Sequence, residues 1–120
     1  MQITASKVQV TFSSTLKGTL DAYFNHPLHS RTPLRFNVGP DVHYFPDHRD
    51  TAMLTAILGN LLPFEHERSR GVEDIRVTSR GLLVTFNAGT SFNEIKDYIL
   101  DAVSQFDEDY DYNDVVRFEA

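Results

Sequence analysis

The chain contains no cysteine. Disulfides, zinc-thiolate centres and thiol nucleophiles are therefore excluded. Long apolar runs are also missing. The longest are a few residues, far short of the ~20 that a membrane-spanning helix needs. The opening residues, Met1 to Lys7, form no apolar signal segment, so a cytoplasmic protein is expected. Lysine is scarce, three against eight arginines. We read that as a base bias of the genome and draw no function from it.

Catalytic signatures are missing as well. There is no G-x-S-x-G, no serine in an activating context, and no H-E-x-x-H. Glu73 and Asp74 are adjacent in the chain, so as paired carboxylates they are expected to face opposite ways. A non-catalytic protein without a cofactor is the expectation.

What is present fits one domain. At 120 residues, with 41% hydrophobic and 23% charged residues, the chain can bury a single core without metals or cross-links. One compact unit over residues 1–120 is expected, with an acidic segment at 107–120. The net charge of −6 is unevenly placed. Residues 94–119 hold Glu94, Asp97, Asp101, Asp107, Glu108, Asp109, Asp111, Asp114 and Glu119 against Lys96 and Arg117. That end thus exceeds the whole net charge and repels phosphate backbones, which argues against direct nucleic-acid binding.

Periodicity gives the elements. Val8-Gln9-Val10-Thr11-Phe12 alternates as a strand does. Leu16, Leu20 and Phe24 recur at i, i+4, i+8 behind Ser13-Ser14-Thr15, which predicts a helix. A hairpin turning at Lys17-Gly18 is the competing reading. Leu34, Phe36 and Val38, the turn Gly39-Pro40-Asp41, and Val42 to Phe45 predict a hairpin. A helix capped by Asp47 or Asp50 follows, with Met53, Leu54, Ile57, Leu58, Leu61 and Leu62 as its buried stripe and Pro63 as its stop. Ile75 to Thr78, a turn at Arg80-Gly81, and Leu82 to Phe86 predict a second hairpin. Ser91 and Glu94 form a capping box for a helix whose apolar face runs Phe92, Ile95, Ile99, Ala102, Val103, Phe106. Val115, Val116 and Phe118 suggest a short strand or a docked tail.

The stretch 34–62 matches 75–103 in element order at an offset of 41 residues. The expected fold is therefore α+β. It would be an antiparallel sheet of β-hairpin–helix units in the order β-α-ββα-ββα, with or without a closing C-terminal strand, and with the helices on one face. An unpaired edge strand at Val8 to Phe12 would allow a homodimer by sheet extension.

Three groups of residues are candidates for chemistry. His26, His29, His43 and His48 lie within 23 residues of one another and are weak metal-ligand candidates. Arg68, Arg70, Arg76 and Arg80 could hold a phosphate or carboxylate. Thr90 and Ser91, in the small-residue loop Asn87-Ala88-Gly89-Thr90-Ser91, could present amides to an anion at a helix start. Together the histidine-rich stretch 26–48 and the arginine patch 68–80 define a small-ligand or metal-binding alternative.

The strongest feature is the segment Phe106-Asp107-Glu108-Asp109-Tyr110-Asp111-Tyr112-Asn113-Asp114. Tyrosines offer contact area at low entropic cost, and carboxylates steer a basic partner. Asp107, Asp109, Tyr110, Asp111, Tyr112 and Asp114 are the expected partner-binding residues. The corresponding function is a small acidic protein that binds or inhibits a basic protein, of the immunity, anti-defence or secretion-chaperone kind.

Overall fold

A computed structural model describes residues 7–14, 16–28, 34–37, 48–62 and 71–116. The first strand, β1 (Gln9–Ser14), buries Val10, Phe12 and Ser14 on one face. A tight turn returns the chain into β2 (Thr19–Phe24), antiparallel to β1. Thr19 donates both its amide and its hydroxyl to the Leu16 carbonyl, at 3.2 and 2.7 Å. Gly18, at φ +82°, takes the left-handed conformation that this turn needs.

The helix expected over Leu16 to Phe24 is therefore a strand, and the competing hairpin at Lys17-Gly18 forms. The spacing i, i+4, i+8 fits a helical face, yet it is also a multiple of two. Leu20, Ala22 and Phe24 are the buried side of β2, whereas Leu16 is 68% exposed in the turn.

β3 (Leu34–Asn37) is followed by α1 (Ala52–Leu61). The residues read as its returning partner strand, Val42 to Phe45, lie outside the described residues. The cap of α1 is Thr51, not Asp47 or Asp50, and its hydroxyl accepts the Leu54 amide at 3.2 Å. Leu62, which precedes Pro63, is already extended (φ −91°, ψ 145°), as the proline ring demands.

β4 (Val72–Val77) and β5 (Gly81–Phe86) form the expected hairpin, closed by Thr78 donating its amide to the Gly81 carbonyl at 2.8 Å. β4 starts earlier than the sequence suggests. A register shift between Val72 and Asp74 lets Val72 and Ile75, three residues apart, both face the core. α2 (Phe92–Ser104) follows, capped by Ser91, whose hydroxyl accepts the Glu94 amide at 3.1 Å. β6 (Asp111–Val116) completes the order.

The six strands form one sheet in the order β3-β4-β5-β2-β1-β6. Every neighbouring pair is antiparallel except β1 and β6, which run parallel from Gln9↔Asp111 to Ser14↔Val116. This overturns the all-antiparallel, three-helix β-α-ββα-ββα plan, although the fold remains α+β. A parallel pair needs a long crossover, and here the first and last described strands meet across the whole chain. β1 is interior, flanked by β2 and β6, so it offers no free edge for sheet extension.

One core joins the sheet to both helices. Leu54, Ile57, Leu58 and Leu61 of α1 and Ile95, Ile99, Ala102 and Val103 of α2 are fully buried. They pack with Phe12, Leu20, Phe24, Ile75 and Val84 of the sheet. The pairs Leu54/Ile95 and Leu58/Ile99, matched by the 41-residue offset, thus play the same role in adjacent helices. The two helices are also tied by Asn60, whose side-chain amide donates to the Tyr98 carbonyl at 2.9 Å. No helix among the described residues is long and apolar enough to cross a membrane.

Candidate functional site

α2 is not prolonged into the acidic segment. Phe106 and Asp107 both donate their amides to the Val103 carbonyl, at 2.9 and 3.1 Å, and the chain then turns back. Phe106 loses the phase of the helical face on which its spacing places it, and it is 48% exposed. Asp107 holds the turn. One carboxylate oxygen accepts the amide of Val8 at 2.9 Å and the other accepts that of Asp109 at 2.9 Å. These two bonds, the one from Val8 first, hold the Asp107 carboxyl below its ordinary range. Asp111 then donates its amide to the Val8 carbonyl at 2.9 Å, which starts the parallel ladder.

Within β6, side chains alternate between the two sides of the sheet. Tyr112 meets Phe12 edge-on at 6.1 Å and stacks on Tyr110 at 6.4 Å. The Lys96 ammonium of α2 lies 5.3 Å from the centre of the Tyr112 ring and 2.8 Å from the Asp114 carboxylate. α2 thus covers the side of the sheet that β6 closes. On the other face, Asn113 accepts a hydrogen bond from the Thr11 hydroxyl at 3.0 Å. Lys7 stands 3.5 Å from Asp111 in an exposed pair.

The six residues expected to bind a partner therefore divide. Asp107 serves the fold, and Tyr110 is half-buried against the core. Asp109, Asp111, Tyr112 and Asp114 are exposed. Phe106 and Glu108, exposed beside them, and the exposed carboxylates Glu94, Asp97 and Asp101 of α2 are not among those six. Their spacing at i, i+3, i+7 sets these last three on one outward helical face, a signal that was present in the sequence.

The other candidates are less concentrated. Arg76 lies 3.6 Å from Asp74, while Arg80 donates to the Asn25 carbonyl at 2.8 Å, so the two engage different partners. Arg68 and Arg70 lie outside the described residues. Asn87 accepts the Gly89 amide on its side chain at 3.0 Å and the Thr90 amide on its carbonyl at 3.1 Å. Since Ser91 accepts the amide of Glu94, three amides that an anion at this loop could use are taken within the chain. The Thr90 hydroxyl itself donates to the Asn87 side chain at 3.2 Å. His26 follows β2 and His48 precedes α1, while His29 and His43 lie outside the described residues. Among the described residues no group of three or more histidines and carboxylates is placed to hold a metal ion.

Compared with known proteins, the chain matches no family model, no curated protein and no solved structure.

Proposed function

We propose that this protein is a small acidic, non-catalytic interaction protein that binds or inhibits a basic protein partner. Its docking surface is the flank built from the free edge of β6, the turn before it and the outward side of α2. One observation carries this reading: exposed aromatic rings and carboxylates alternate in the chain along that flank, while its cations among the described residues, Lys7 and Lys96, are engaged. Phe106 and Tyr112 are each 48% exposed, and Glu108, Asp109 and Asp111 surround them in the chain. Lys96 is turned onto Asp114 with only 12% of its side chain exposed, and Lys7 faces Asp111. The surface therefore keeps a negative field to guide encounter and aromatic area to hold contact. The immunity, anti-defence and secretion-chaperone classes of small acidic protein share this logic.

The test is capture of a partner from the native host at low and high ionic strength, with the triple variant E108Q/D109N/D111N beside the parent. Exposed charges more than a Debye length apart are screened by salt, so capture should weaken at high salt and in the variant. Capture that is indifferent to both would refute the electrostatic reading. Asp107 is left intact because its loss would disturb the fold as well as the charge.

A further inference from the structure

The face of the sheet turned away from the helices carries a second arrangement, independent of the acidic flank. The strand registers place Asp21 of β2, Leu83 of β5, Arg76 of β4 and Arg35 of β3 in one cross-strand row. Neighbouring strands are about 4.8 Å apart, so the Asp21 and Arg76 backbones are separated by roughly 9–10 Å across Leu83. A cleft of about 460 Å³ opens along this row, lined by Asp21, Tyr23, Arg76, Thr78, Gly81 and Leu83.

The two ends of the cleft are of opposite charge. At one end, no hydrogen bond or ion pair reaches the Asp21 carboxylate among the described residues, and burial pushes its pKa up. At the other end, Asp74 serves two guanidinium groups. Arg35 Nε donates to it at 3.0 Å, and Arg76 Nε stands further off at 3.6 Å. One carboxylate between two cations leaves a positive charge over, and a guanidinium has five N–H donors, so Arg76 keeps several for a ligand.

The middle is apolar and shaped. Leu83 is half-buried on the floor. Gly81 lies opposite Tyr23 in the register, and a Cβ there would stand 3.0 Å from the Ala22 carbonyl and 3.9 Å from the Tyr23 ring. The tight approach is to the Ala22 carbonyl, and the Tyr23 ring lies beside it at ordinary van der Waals distance. Tyr23 is still 61% exposed, so it presents area to whatever enters.

We infer that this cleft binds an ω-amino carboxylic acid, with its ammonium on Asp21 against Tyr23, its methylene chain over Leu83 and its carboxylate on Arg76. A six-carbon chain sets the two charges about 7 Å apart when extended, and the long arginine side chain closes the remaining gap. Free lysine-like amino acids and the C-terminal lysine of a peptide share this chemistry.

The experiment is titration of the full chain with 6-aminohexanoate, hexylamine and hexanoate, followed by calorimetry and by amide shifts at Asp21, Tyr23, Gly81 and Leu83. The zwitterion should bind at least about tenfold more tightly than either half-molecule. R76Q should weaken 6-aminohexanoate and leave hexylamine unchanged. D21N should abolish binding of the zwitterion. A peptide ending in lysine, compared with its C-terminal amide, separates the two sources. Equal binding of all three probes, absence of binding, or undiminished binding by D21N would each overturn the inference.

Discussion

The Lys96–Asp114 pair offers the sharpest test of how the last strand is held. The ammonium is 2.8 Å from the carboxylate, with side-chain exposures of 12% and 36%. Fully exposed pairs contribute about 0–1 kcal/mol, and hydrogen bonds to charged groups up to about 3 kcal/mol. This half-covered pair falls between them. Replacing Asp114 with Asn leaves the ammonium of a side chain that is only 12% exposed without its carboxylate, at a cost of about 1.5 kcal/mol. Replacing Lys96 with Met keeps aliphatic contact with Tyr112 and leaves a carboxylate that water can still reach, at about 1 kcal/mol. The double variant should then cost about 1.5 kcal/mol instead of the additive sum, a coupling of about 1 kcal/mol. Unfolding entropy for a chain of this length makes 1 kcal/mol worth about 4 °C in melting temperature, so D114N should melt about 6 °C lower. The pair also holds the Lys96 pKa above its ordinary 10.5, chiefly through the Asp114 hydrogen bond. Its contribution is therefore present below pH 10.5 and is lost as pH rises through the raised value. Urea unfolding of the four proteins at neutral pH measures the cycle. Strict additivity, or a D114N cost of no more than a few tenths of a kcal/mol, would show that the strand is not pinned here.

Two further predictions address the joints of the fold. Gly71 sits at φ +86°, and a Cβ on it would fall 1.7 Å from the Thr90 hydroxyl oxygen. Gly71→Ala should cost about 3 kcal/mol by denaturant unfolding, the left-handed backbone adding to the overlap. In a Thr90→Gly background only the backbone part, about 1–2 kcal/mol, should remain, and an equal cost in both backgrounds would refute the clash. The lowered pKa of Asp107 gives a contribution present above its ordinary 3.8 and lost as pH falls through the depressed value. Acid titration of thermal stability should therefore be flatter below pH 3.8 in Asp107→Asn than in the parent, and coincident acid limbs would count against the Val8 and Asp109 bonds.

Much of the local structure was legible because side-chain spacing decides it. Ser91 and Glu94 marked the start of α2 correctly, and the stripe from Met53 to Leu61 marked the buried side of α1. Ambiguity entered where a spacing serves two periods, as with Leu20 and Phe24. It also entered where a bulge breaks the period, as between Val72 and Ile75. The parallel pairing of β6 was not legible at all. Asp111 to Asp114 is polar on both sides of the strand, so no alternation announces it. Its partner is set by Asp107 reaching Val8 across 99 positions, a contact that no local pattern can report. Likewise Phe106 read as part of the apolar face of α2, although the helix ends at Ser104. The row from Asp21 to Arg35 was invisible because it depends on three strand registers at once.

The parallel joint of β1 and β6 has a mechanical meaning. In a parallel pair the leading end of one strand and the trailing end of the other lie at opposite extremes of the ladder, here near Gln9 and Val116. Tension applied through those two points slides the strands lengthwise and loads their hydrogen bonds together. An antiparallel hairpin such as β4–β5, pulled at its open end, gives way one bond at a time. The strand that presents the carboxylates is thus one half of a shear clamp.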